Sequence, residues 1–136
     1  MGQASSSRRH LALVVDDDAL VQNFVRAVLE GQGFEVYVAD NGKTAASIYE
    51  EHSDFSLIVT DILMPDADGI ALILKIRRGT AGAAQPKIIA ISGGGFIEAE
   101  EYLENARGLG ADVTLAKPFS ALDLTKALSR LGFEST

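Results

Sequence analysis

Three short runs in this chain, LALVV from Leu11, SLIVT from Ser56 and KIIAI from Lys87, are apolar at odd and even positions alike. A strand with that pattern has no polar face to turn to water, which is the signature of the interior of a parallel sheet covered on both sides. Parallel neighbours cannot be joined by tight turns, and the stretches between these runs are long enough to carry crossover helices. Two further runs read differently. In FEVYVA, Phe34, Val36 and Val38 alternate with Glu35 and Tyr37, which suits a strand with one wetter face near a sheet edge. DVTLA, from Asp112, is short and mixed and suits the opposite edge. Five strands separated by helices predict an α/β domain with helices on both faces of one parallel sheet.

The intervening segments carry helix signals. Asp18 can cap a first helix in which Leu20, Phe24 and Val28 share a face. Asn41-Gly42 marks the turn into a second, running to about His52. Asp68-Gly69 opens a third, unusually apolar helix with Ile70, Ile73, Leu74 and Ile76. A fourth is expected near Ile97 to Arg107, stopped by Gly108 and Gly110. Ser120 with Asp123 three residues later reads as a capping box for the last, where Leu124, Ala127, Leu128 and Leu131 repeat at helical spacing. The expected organisation is a tail over residues 1–10, one domain over 11–132, and a short polar end over 133–136. That end, FEST, follows the final helix without a linker and favours a protein that stands alone and acts by docking.

Composition removes several function classes. The chain has 136 residues, enough for one domain with a proper core. It has no cysteine, which excludes disulfides, thiolate catalysis and cysteine-rich zinc sites and favours a cytoplasmic home. A net charge of -7 repels phosphate backbones and argues against direct nucleic-acid binding. No apolar run approaches the ~20 residues needed to span a bilayer, so membrane insertion is not expected. Arg8 and Arg9 precede LALVV as in an export signal, but that run is too short and ends in aspartates. Gly2 and Ser6 fit a myristoylation pattern that is short and common by chance, and a disordered polar tail is the simpler reading.

The chemistry lies where strands end. In an open parallel sheet, the loops after the carboxyl ends of the strands form the binding crevice. Asp16 and Asp17 follow the first run, Asp61 the third, Ser92 the fourth and Lys117 the fifth. Singly, each reads as a cap, a turn or a solvated surface group. Together they put three carboxylates, one hydroxyl and one ammonium at the same sheet end. Ionised carboxylates ~4 Å apart repel by about 4 kcal/mol per pair at an effective dielectric of 20. A divalent cation relieves that repulsion, and Lys117 brings the set near neutrality. Oxygen donors with no nearby His or Cys select a hard ion, and Mg²⁺ keeps the waters that a sparse ligand set leaves in place. A carboxylate beside such an ion can attack phosphorus and form an aspartyl phosphate. Incoming phosphoryl oxygens then need counter-charge and donors, which Lys117 and Ser92 can supply. Asp61 is the best nucleophile because it ends the central strand, between the acidic pair and the Ser92/Lys117 side.

These residues carry a family resemblance. VVDDD, TDILMPDADG, AISGG and LAKPF resemble, in order and approximate spacing, the signature of response-regulator receiver domains, over about Leu11 to Leu131. The resemblance implies a doubly wound, flavodoxin-like sheet of order 2-1-3-4-5. It further implies that Asp61 is the phosphoacceptor. Asp16 and Asp17 would hold Mg²⁺ with Asp61 and the backbone carbonyl of Leu63. Ser92 would be the hydroxyl switch residue, Lys117 the phosphate-contacting lysine, and Lys117-Pro118 a cis peptide bond. The implied phosphodonor is a sensor histidine kinase or a histidine phosphotransfer protein, and the implied role is that of a signalling protein, not an enzyme acting on a separate substrate.

One position departs from the family. An aromatic usually stands three residues before the lysine, where this chain has Thr114. The expectation is that backbone motion at Gly93, Gly94 and Gly95 replaces the aromatic swing and moves the fourth helix, with its Glu98, Glu100, Glu101 and Glu104. Three rival readings fit the residues less well. A flavodoxin needs a donor-rich loop where this chain has three aspartates. A haloacid-dehalogenase-like phosphatase would use Asp16 as nucleophile with Asp18, but Leu20 occupies its usual Thr position. A non-phosphorylated pseudo-receiver would act as a binding module, but it would not need the complete acidic, hydroxyl and lysine set.

Overall fold

The computed structural model describes residues 10–52, 54–62, 64, 69–79, 85–92, 108 and 110–133. Five strands, β1 (His10–Val15), β2 (Phe34–Ala39), β3 (Leu57–Asp61), β4 (Lys87–Ser92) and β5 (Val113–Ala116), form one sheet in the order β2-β1-β3-β4-β5. Every neighbouring pair is parallel. The doubly wound order implied by the resemblance is therefore the observed one, with FEVYVA at one edge and VTLA at the other.

Four helices are described: α1 (Ala19–Gly31), α2 (Gly42–Glu51), α3 (Gly69–Gly79) and α4 (Ala121–Arg130). The two-sided apolar pattern of the inner strands divides the core in two. Leu13, Ile58 and Ile88 point to one face, where they meet Ala45 and Tyr49 of α2 and Leu72, Ile73 and Ile76 of α3. Val14, Leu57, Val59, Ile89 and Ile91 point to the other, against Val25 and Leu29 of α1 and Leu124 and Leu128 of α4. Burying a side chain of this kind contributes about 1.5–3 kcal/mol, so the alternation along each strand commits both faces.

The helix starts are set by side chains. Asp18 accepts from the Leu20 amide at 2.9 Å, and Asn41 accepts from the Thr44 amide at 2.7 Å. Ser120 and Asp123 form the reciprocal capping box, at 3.0 and 2.9 Å. Two helix faces differ from the expectation. In α1 the buried residues are Val25 and Leu29, flanked by Val21 and Val28, whereas Leu20 is 79% exposed and Phe24 lies at the surface. The sequence holds two adjoining apolar stripes, and the sheet takes the one beginning at Val21. In α3 Leu72 is buried with Ile73 and Ile76, while Leu74 is only half-buried. The expected fourth helix, Ile97 to Arg107, lies outside the described residues.

Candidate phosphorylation site

The predicted residues converge at the carboxyl ends of the strands. Asp16, directly after β1, is fully buried, and its Oδ1 accepts from the Asp18 amide at 2.9 Å. Asp61 closes β3 at 3% exposure, and Ser92 closes β4, fully buried. Asp17 is exposed at the mouth. Carboxylate oxygens of Asp16, Asp17 and Asp61 all lie within 4.8 Å of one another.

Lys117 follows β5 and reaches across β4. Its Nζ donates to Asp61 Oδ2 at 3.0 Å and stands 3.0 Å from Asp16 Oδ2. Only the first contact is aligned as a hydrogen bond. Asp16 Oδ2 is buried without one among the described residues, so its contact with the ammonium is electrostatic. The Lys117 amide donates to the Ser92 carbonyl at 2.8 Å, fixing where the lysine leaves the sheet edge. Lys117-Pro118 is cis, as the resemblance implies. Burial opposes the Lys117 charge, but the two carboxylates that face it, Asp16 and Asp61, outweigh that and hold its pKa above the ordinary lysine value. Burial pushes the Asp16 carboxyl up. The Asp18 amide and Lys117 counteract part of that shift, and the Asp61 charge adds to it.

This set fits a hard divalent cation. A buried carboxylate oxygen without a hydrogen bond is costly unless something positive faces it, and three carboxylates against one ammonium leave the crevice short of positive charge. All the side-chain donors are oxygen, which suits Mg²⁺. Leu63, expected to add a carbonyl ligand, lies outside the described residues, as do Gly93 to Gly95. Thr114 is half-buried in β5 beside Ala90 of β4.

The rival phosphatase arrangement has little support here. Asp18, the second member of its acidic pair, is engaged in capping α1, and Asp16 is sealed between the Asp18 amide and Lys117. One contributor escaped the sequence reading. Gln22 Nε2, from α1, donates to the backbone carbonyl of Asp16. No motif marks a glutamine six residues beyond its partner, and only the path of the chain brings the two together.

Comparisons with known proteins agree with this geometry. The family model described as the response regulator receiver domain matches residues 12–129. The chain is 34% identical to the chemotaxis protein CheY of Bacillus subtilis, over 89% of this chain and 96% of that protein. It is 36% identical to the CheY of Halobacterium salinarum, over 86% and 92%. It also matches the transcriptional regulatory protein SrrA of Staphylococcus aureus at 31% identity, over 87% of this chain but 47% of that one. Among solved structures, the chemotaxis response regulator CheY4 of Vibrio cholerae superposes with a TM-score of 0.75 at 25% identity, over 91% and 99%. No helix among the described residues is long and apolar enough to cross a membrane. With its sheet order, its acidic cluster and these matches, the chain belongs to the response-regulator receiver domains, the phosphoacceptor modules of two-component signalling.

Proposed function

We propose that Asp61 is the residue that accepts the phosphoryl group. The observation that carries this reading is the Lys117 ammonium, 3.0 Å from Asp61 Oδ2 and 3.0 Å from Asp16 Oδ2, at the end of the central strand. An Asp61 carboxylate oxygen attacks phosphorus. The bond from phosphorus to the donor's imidazole nitrogen breaks, and its electron pair stays on that nitrogen. The Lys117 charge faces the oxygens on which negative charge gathers. Ser92, buried at the end of the neighbouring strand, supplies a hydroxyl for the aspartyl phosphate. Asp16, Asp17 and Asp61, with the Leu63 carbonyl, would hold Mg²⁺, which supplies charge neutralisation at the phosphoryl group when bound.

The proposed donor is a sensor histidine kinase or a histidine phosphotransfer protein in the cytoplasm. The proposed consequence is a changed partner-binding surface, in a protein whose output is docking and not turnover. Intact-mass analysis after incubation with Mg²⁺ and acetyl phosphate tests the site. The wild type should gain one phosphoryl group and Asp61→Asn none. A phosphoryl group mapped to Asp16 would replace this reading with the phosphatase-like one.

A further inference from the structure

Three contacts meet on the backbone at the end of β3. Thr60 is fully buried, and its Oγ1 donates to the Asp61 carbonyl oxygen at 2.9 Å. The Ile62 amide donates to the Ile91 carbonyl at 2.9 Å. The third contact comes from Gly69, the first residue of α3. A Cβ at this position would overlap the Asp61 carbonyl oxygen and lie 2.9 Å from both the Asp61 carbonyl carbon and Ile62 Cα. These neighbours are backbone, not the movable end of a side chain.

Nothing else asks for glycine there. Gly69 is not among the positive-φ glycines, so its conformation is open to any L-residue. Gly79, at the far end of the same helix, has no described residue within 4 Å of where a Cβ would stand. The helix cannot simply step back from β3, because Leu72, Ile73 and Ile76 seat it in the core.

We infer that Gly69 and Thr60 are positioning residues for phosphoryl transfer: together they pin the Asp61 peptide so that its carboxylate stays aligned with Lys117 and the acidic pair. The inference rests on Asp61 being the acceptor. The side chain of Asp61 is short, so a displaced peptide displaces the carboxylate with it. A misplacement of ~1 Å in a reacting group costs about 10²-fold in rate. Thr60 holds the carbonyl oxygen by a hydrogen bond, and Gly69 holds it by leaving no slack on the side of α3.

The test compares wild type, Gly69→Ala, Thr60→Val, Gly79→Ala and Asp61→Asn. Phosphorylation by acetyl phosphate is followed at saturating Mg²⁺, separating the limiting rate from the acetyl phosphate concentration at half-rate, and urea unfolding is run in parallel. Gly69→Ala should lower the limiting rate by about tenfold or more while folded, given the sensitivity of attack geometry to position. Thr60→Val should lower it less, and Gly79→Ala should match wild type. A folded Gly69→Ala with the wild-type limiting rate, or a loss that only follows its unfolded fraction, overturns the inference. If Gly69→Ala does not fold, Thr60→Val decides, and an unchanged limiting rate in that variant overturns it. Continued phosphorylation of Asp61→Asn would instead show that the acceptor itself is misassigned.

Discussion

At the carboxyl end of the sheet, among the described residues, three carboxylates face a single ammonium, and Asp16 Oδ2 is buried without a hydrogen bond. At the amino end of the same sheet a single guanidinium uses four of its five N–H groups on protein acceptors. Arg77, in the last turn of α3, donates to the carbonyls of Gly110 and Pro86, both at 2.9 Å, to Gln85 Oε1 at 2.6 Å and to Asp112 Oδ2 at 2.9 Å. Asp112 Oδ2 accepts in turn from the Ile88 amide at 2.8 Å. At the same end of the sheet, the His10 ring packs against Phe34 and edge-on against Phe133, tying the start of β1 to the chain beyond α4. The residue types at the two ends are alike, but their polar groups are used differently. Where most donors find acceptors, polar groups hold elements together. Where charge is left uncompensated and buried, the site is poised to gain a cation or lose a charge.

Substitutions should separate these two ends. The largest effect is expected at Asp61. Asp61→Asn should lose the phosphoryl adduct completely by intact mass, yet unfold in urea no earlier than wild type, because the change relieves repulsion with Asp16 and Asp17. Clear destabilisation by this variant would blur the distinction between the ends.

Arg77→Ala should behave in the opposite way. It removes hydrogen bonds from a partly buried guanidinium and leaves Asp112 without its ion pair, which should cost about 2 kcal/mol after allowing for solvent exposure. Arg77→Lys should recover only part of that, since an ammonium cannot reproduce the fork. The limiting phosphorylation rate should be unchanged in both, and a reduced rate in the folded variants would couple the two ends.

Asp17→Ala sharpens the reading of the acidic end. It should weaken Mg²⁺ binding by about tenfold or more, judged against the 10–100-fold effects seen even for groups that only support a ligand. An NMR titration of Mg²⁺ measures this, and shifts that persist in the variant would remove Asp17 from the ligand set.

The smallest effect is expected at the cap of α4. Ser120→Ala should cost about 1 kcal/mol at neutral pH. The Asp123 carboxyl is held below the ordinary aspartate value of 3.8 by its bonds with the Ser120 amide and hydroxyl. A depressed folded-state pKa contributes stability above the unfolded value and loses it as pH falls through the folded one. The difference between Ser120→Ala and wild type should therefore shrink as pH drops below 3.8. A penalty that stays constant down to acid pH would mean that the Ser120 hydroxyl adds nothing to holding the Asp123 carboxylate, whose bond with the residue-120 amide the variant keeps.

Local chemistry made much of this legible from the chain alone. The apolar runs placed Asp16, Asp61 and Ser92 at strand ends because a parallel sheet brings its carboxyl ends together. Asp18, Asn41 and Ser120 announced helix starts because a short polar side chain next to free amides has few other uses. Other features depended on which surfaces met. Both Leu20 and Val21 begin an apolar stripe on α1, and only contact with β1 and β2 selected the second. The same holds for Leu72 over Leu74 on α3. Gln22 and Asp16, Thr60 and Gly69, and Arg77 and Asp112 are pairs whose partners lie far apart in sequence or carry no motif. The sequence by itself determined the strand ends, the caps and the identity of the charged set, because these follow from periodicity and from the valence of single residues. The tertiary structure alone decided that one lysine spans two carboxylates and that a glycine seats α3 against the Asp61 peptide, because distances of a few ångströms between separate elements are set by how the whole core closes.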